Sequence, residues 1–279
     1  MRVFFDKKSL RKFLEENRSL GKTVSLVPTM GFLHKGHISL VRRARGMSSI
    51  VVVSIFVNPI QFGPNEDLDR YPRDLGSDLR LLDKEGVDVV FCPTVEEMYP
   101  EEQLCFVEVK ELQDRLCGLF RPGHFRGVCT VVTKLFNIVQ PDFAHFGEKD
   151  YQQLVILRKM VKDLDFPIKI VPSPIVRDAD NLALSSRNSY LTADERKVAL
   201  NISKELFWIK ERIEEGNYDI KILEESRGRL QEKGIKLDYL KAVSTDNLEE
   251  MTDLAPPVAV LLAGWVGKVR LIDNIIVES

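Results

Sequence analysis

The sequence predicts an α/β fold: a doubly wound, mostly parallel sheet over residues 1–175, followed by a smaller α+β domain over residues 176–279. Three observations predict it. Short, continuously apolar runs such as residues 24–27, 50–57 and 87–91 read as strands covered on both faces. Stretches with helical spacing, such as Leu10, Phe13 and Leu14, separate these runs, so strand and helix alternate. The character then changes at Pro172-Ser173-Pro174, after which charged helical segments precede three strand-length runs.

Taken in order, residues 7–17 form a first helix, 24–27 a strand, 37–45 a helix and 50–57 a strand. The stretch from Asn58 to Asn65 is dense in Pro, Gly and Asn, so it is a loop leaving that strand's C-terminal end. A helix over 73–85 leads through Gly86 to a strand over 87–91. The alternation continues as strand 106–109, helix 127–139, strand 143–146, helix 150–164 and strand 168–171. Ligands of such sheets bind in the crevice at the C-terminal strand ends, so the loops after Val27, Val57 and Phe146 should converge there. Beyond the prolines, Thr192 and Glu195 form a capping box opening a helix over 192–214. A helix over 219–232 ends at Gly234 as its C-cap, and strands follow over 237–243, 258–263 and 269–277.

Composition excludes several classes. With 279 residues and 44% hydrophobic content the chain can bury a sizeable core. A net charge of −2 gives no basic field for nucleic acid or an anionic membrane. No run approaches the roughly 20 apolar residues of a membrane span, and the first residues lack a signal peptide's apolar core. A cytoplasmic location is the expectation. Cys92, Cys105, Cys117 and Cys129 contain no C-x-x-C pair, which removes zinc and thioredoxin readings; Cys92 and Cys105, in apolar runs, read as small core residues. No protein-held metal site is expected.

The most informative stretch is Pro28-Thr29-Met30-Gly31-Phe32-Leu33-His34-Lys35-Gly36-His37-Ile38-Ser39-Leu40, which reads as strand, tight turn and helix. Backbone N–H groups at a helix start lack intrahelical partners, and the helix dipole favours an anion there. Glycines let a phosphate approach the backbone, and an imidazole can donate to a phosphate oxygen in either protonation state. A single histidine at a helix start is more often a cap or surface residue; two, three apart and flanking Gly36, are a sharper signal.

His34-x-Gly36-His37 resembles the H-x-G-H signature of the nucleotidylyltransferase superfamily. With its flanking residues it is similar, more narrowly, to the pantoate–β-alanine ligase family, whose motifs recur in order from about residue 24 to 190. The resemblance implies a Rossmann-like fold. It also implies that Met30, Gly31, His34, Gly36 and His37 bind ATP. Gln61 in Val57-Asn58-Pro59-Ile60-Gln61-Phe62 would contact pantoate and β-alanine, with Asn58 supporting the loop and Tyr71 lining the same pocket. Phe146-Gly147-Glu148-Lys149-Asp150-Tyr151-Gln152-Gln153 would give Gly147, Glu148, Lys149 and Asp150 to ATP and Gln153 to pantoate. Leu184-Ser185-Ser186-Arg187 would close over the triphosphate, with Val176 beside adenine. Arg121-Pro122-Gly123-His124-Phe125-Arg126-Gly127 also resembles a family segment, as a flap or as a helix cap.

The implied reaction is attack of the pantoate carboxylate on the α-phosphate of ATP, release of pyrophosphate, then attack of β-alanine on the pantoyl adenylate. Catalysis would be positioning plus electrostatic stabilisation. His34 and His37 would act on the phosphates, with His37 placed to donate a proton; Lys149 and Arg187 would stabilise the departing pyrophosphate. Mg²⁺ would ride on the triphosphate, held by phosphates and water. The family's homodimer is the expected assembly. Two other readings fit the turn alone: nucleotidyl transfer to a phosphate acceptor, which would call for more Lys or Arg than the paired glutamines offer, and non-catalytic nucleotide binding.

Overall fold

The computed structural model describes residues 1–64 and 66–278, so Asn65 of the predicted loop lies outside the described residues. The chain begins β1 (Arg2–Phe4), α1 (Lys7–Arg18), β2 (Val24–Thr29), α2 (Lys35–Arg45) and β3 (Ile50–Ile55). After a 3-10 turn at Pro59–Gln61 come α3 (Leu75–Lys84), β4 (Val89–Phe91), α4 (Val95–Met98) and α5 (Cys117–Phe120). Next are α6 (His124–Val139), β5 (Phe143–Gly147), α7 (Tyr151–Asp163) and β6 (Lys169–Ser173). The last third holds α8 (Ala193–Glu214), α9 (Lys221–Glu232), β7 (Lys236–Ser244), β8 (Val258–Val266) and β9 (Val269–Val277).

The first six strands form one parallel sheet in the order β1-β4-β3-β2-β5-β6. From β2 the chain winds outward through β3 to β4, then returns to place β5 on the other side of β2. The order therefore reverses between β2 and β5, and a crevice opens at their C-terminal ends. Alternate strand residues serve the two faces. Val24, Leu26 and Val52 pack with α1, α6 and α7, whereas Val27, Val51 and Val53 pack with α2 and α3. Side chains such as Leu26, Phe136 and Ile156 are almost fully buried, each stabilising the fold by about 1.5–3 kcal/mol relative to exposure.

The second sheet is antiparallel, in the order β7-β8-β9. One face, including Leu240, Val260, Leu262 and Leu271, packs on α8 and α9. The other, including Tyr239, Val243 and Leu261, joins the core of the parallel sheet. Helix α8 opens with the expected Thr192–Glu195 capping box.

Two expectations fail. Residues 106–109 are not a strand: no ladder partner exists among the described residues, and the Val107 N–H donates to Thr130 Oγ1 instead. The edge beside β4 is taken by β1, three residues too short to show a period. Cys105, expected in a core, is exposed because its segment lies outside the sheet, whereas Cys92 is buried as expected.

Candidate active site

The turn after β2 is built on its two histidines. His34 is the N-cap of α2, and its Nδ1 accepts the Gly36 N–H at 3.1 Å. Its own N–H donates to His37 Nδ1 at 3.2 Å, so two imidazoles form a reciprocal capping box. Gly36 is required by close approach: a Cβ there would lie 2.9 Å from the His34 ring. With both Nδ1 atoms accepting, each neutral ring carries its proton on Nε2, the donor left for a ligand. Burial, together with the Lys149 charge, lowers the pKa of His34 to about 4. Burial, then His34 and Lys149, lowers that of His37 to about 3. Both rings are thus neutral hydrogen-bond donors at pH 7, not the cations that sequence alone left open.

Asp78 of α3 holds the same turn from beneath. Its carboxylate accepts the N–H groups of Phe32 (2.9 Å) and Leu33 (2.7 Å), steadying Phe32 at a left-handed φ of 50°. Burial raises its pKa, so the anion is maintained at a cost. The residue gave no motif signal; only the return of α3 beneath the turn reveals it.

After β3, Asn58 and Gln61 are buried in the 3-10 turn. Asn58 Nδ2 donates to Gln61 Oε1 at 3.0 Å and to the Gly127 carbonyl at 3.2 Å. Gln61 Nε2 in turn lies 3.3 Å from Met30 Sδ. Gly127 is glycine because helix α6 crosses this turn: a Cβ would meet Gln61 Cα and Ile60 O at 2.5 Å.

After β5, Gly147 leads into a 3-10 turn carrying Lys149 and Asp150. It is fastened from the second sheet, where Asn274 Nδ2 donates to the carbonyls of Glu148 (2.9 Å) and Lys149 (3.0 Å). Asp150 stands at the N-cap of α7 but caps no backbone group, so its carboxylate stays available to a ligand. Gln152 and Gln153 part company. Gln152 is buried and bridges Leu112 O, Arg115 O and Cys117 N, while Gln153 faces the crevice.

These loops line one cavity of about 250 Å³, which shares Lys149, Gln153 and Arg187 with a neighbouring one of about 430 Å³. Together they lie in the range of small-molecule sites. Met30, His34, Gly36, His37, Asn58, Gln61 and Tyr71 line the first, as do Gly147, Lys149, Asp150 and Gln153. Val176, Leu184, Ser185, Ser186 and Arg187 complete it from the far side. Gly31 and Glu148 are not in its lining: a Cβ at Gly31 would meet Asp78 and Ile55, and Glu148 offers its carbonyl to Asn274. His145 is fully buried in β5, its Nε2 3.0 Å from Ser25 Oγ, and touches only the cavity floor.

Arg187 forms a two-pronged pair with Asp67 (2.9 and 2.8 Å). Burial works against its charge, but Asp67 outweighs it and raises its pKa. Arg121 pairs likewise with Glu66 (2.8 and 2.6 Å), and beside it His124 Nδ1 contacts the Gln61 carbonyl at 2.9 Å. Arg121 and His124 therefore belong to the cavity wall, whereas Arg126 leaves it to stack on Phe106. Burial, then Arg121, lowers the His124 pKa to about 3. The carboxylates of Glu66 and Asp67 were invisible to motif reading. Among the described residues no three His, Cys, Asp or Glu side chains form a group that could hold a metal ion.

Comparison with known proteins places the whole chain. The profile of the pantoate-beta-alanine ligase family matches residues 2–276. The chain is 53% identical over 278 residues to a pantothenate synthetase of Thermotoga neapolitana, covering 99% of each chain. The crystal structure of pantothenate synthetase from Thermus thermophilus superposes with a TM-score of 0.95 at 45% identity, covering 100% of both chains. A pantoate-beta-alanine ligase from Francisella tularensis, complexed with beta-gamma ATP and beta-alanine, gives a TM-score of 0.84 at 37% identity, covering 99% of this chain and 97% of that one.

Proposed function

The chain belongs to the pantoate–β-alanine ligase family, and from that premise we propose that the cavity at the strand ends is where it condenses pantoate with β-alanine in an ATP-dependent reaction. One observation supports this placement above the others. Two neutral imidazole donors and Lys149 line the same cavity as Gln61 and Gln153.

In the first step the pantoate carboxylate attacks the α-phosphorus of ATP. The new P–O bond forms as the bond to the β-phosphate oxygen breaks, and pyrophosphate leaves. In the second, the β-alanine amine attacks the acyl carbon, the C–O bond to the phosphate breaks, the amine gives up a proton and AMP leaves. No side chain forms a covalent bond. His34 and His37, depressed mainly by burial, donate Nε2–H to the phosphates without prior protonation, and arriving phosphate charge offsets the smaller effect of Lys149. Lys149 and Arg187 stabilise the leaving pyrophosphate, Arg187 after exchanging Asp67 for phosphate. Gln61 and Gln153 orient pantoate, and Val176 and Leu184 flank the adenine side. Mg²⁺ would arrive with ATP near Asp150 and shield phosphate charge. Residues 176–279 form a domain that closes over the site, supported by the Arg177–Asp273 pair (2.6 and 2.8 Å) and by Asn274.

A homodimer is supported by Leu104 and Phe106, exposed apolar residues on a segment outside both sheets. A cytoplasmic location is consistent with the absence of any membrane-length apolar helix among the described residues. The decisive experiment is ATP–pyrophosphate exchange with Mg²⁺ and without β-alanine. Exchange that requires pantoate supports the adenylate. ATP binding without exchange would refute it.

A further inference from the structure

Asn58 is 1% exposed, and every polar atom of its side chain is engaged. The Gly127 carbonyl can only accept, so the Asn58 atom 3.2 Å away must be Nδ2. Oδ1 then faces the Tyr99 hydroxyl, which must donate to it, at 2.7 Å. The second Nδ2 proton points to Gln61 at 3.0 Å, so the atom meeting it must be Oε1. Gln61 is therefore left with Nε2 on the side of Met30 Sδ and the cavity. The Gly127 carbonyl and the Tyr99 hydroxyl, through one asparagine, together set the polarity of the glutamine that faces the cavity.

Tyr99 lies outside the cavity lining, at the C-terminus of α4. Its ring is held independently of its hydroxyl, packed near Phe56 with Lys134 Nζ 4.8 Å above it.

We infer that Tyr99 is a positioning residue for pantoate: its hydroxyl, acting through Asn58, holds Gln61 with its amide N–H groups toward the cavity, so that the pocket selects an acceptor-rich hydroxy acid. This rests on the assignment of the pantoate site above. Without the hydroxyl, Asn58 Oδ1 is buried with no donor, and the relay loses the contact that fixes its distance to Gln61.

The test is steady-state kinetics of Tyr99→Phe, alone and in a Gln61→Ala background. The expected result for Tyr99→Phe is a KM for pantoate raised about tenfold, worth ~1.4 kcal/mol, with kcat and the KM for ATP changed less than twofold. In Gln61→Ala, adding Tyr99→Phe should change the pantoate KM less than twofold, because the effect passes through Gln61. An unchanged pantoate KM in Tyr99→Phe would overturn the inference. So would an equal rise in the Gln61→Ala background, or a parallel rise in the ATP KM, since either makes the hydroxyl merely structural. Wild-type protein without pantoate-dependent exchange would overturn the pantoate site itself, an outcome visible before any variant is made.

Discussion

Replacing His37 separates the two tasks its ring performs. Nδ1 accepts the N–H of His34 and closes the cap of α2, while Nε2–H is the donor we propose for phosphate. A side-chain cap is worth about 1 kcal/mol, which for a chain of this size moves Tm by roughly 2–4 °C. A donor that strengthens in the transition state is worth about 3–4 kcal/mol, or ~10²–10³ in rate. Asparagine places an amide oxygen near the Nδ1 position but has nothing at Nε2. His37→Asn should therefore keep its melting temperature within ~1–2 °C of wild type while pantoate-dependent exchange falls by ~10²–10³. His37→Ala should lose as much exchange and also melt ~2–4 °C lower. Exchange is followed with labelled pyrophosphate and melting by calorimetry on the same preparations. An Asn variant with more than about a tenth of wild-type exchange would refute the assignment of Nε2–H to phosphate.

Four other outcomes follow from the structure. With His34 at about 4 and His37 at about 3, kcat/KM should run level from pH 8 to 6 and fall only in more acid buffer; a limb at 6.5 would contradict the neutral pair. All four histidines, with His124 at about 3 and His145 at about 4, are depressed from 6.5, so the neutral form is favoured in the fold. Their stabilisation is complete above 6.5 and lost as pH falls through 4 and 3, each adding up to ~1.4 kcal/mol per pH unit; urea midpoints between pH 7 and 4.5 should decline accordingly. Gly127→Ala should cost ~1–3 kcal/mol by overpacking and raise the pantoate KM, because the Pro59–Gln61 turn must shift, and urea titration with kinetics would show both. Asp78→Asn offers one acceptor to two N–H groups yet removes a buried charge; its Tm should move little while the KM for ATP rises, and an unchanged ATP KM would remove Asp78 from the turn's support.

The alternation of covered strands and amphipathic helices was legible in the sequence because the period of each is local and both sheet faces demand apolar residues. The turns carrying His34, Gln61 and Lys149 were legible for the same reason: a strand end, a glycine or proline break and a helix start are neighbours in the chain. Their meeting in one cavity was an expectation that the reversal between β2 and β5 turned into geometry. What sequence alone left open depends on residues far apart along the chain. A lone aspartate on α3 has no local signature, yet Asp78 holds a turn 45 residues away. Asn274 reaches across 126 residues to fasten the turn of Lys149. The protonation of His34 and His37 was likewise undecided by their spacing, because a histidine's charge depends on how deeply it is buried and what charge lies beside it. Composition and periodicity determined the layers and the strand ends where the loops gather; only the tertiary fold decided which side chains aim inward, which atoms donate, and that Asp67 pairs with Arg187.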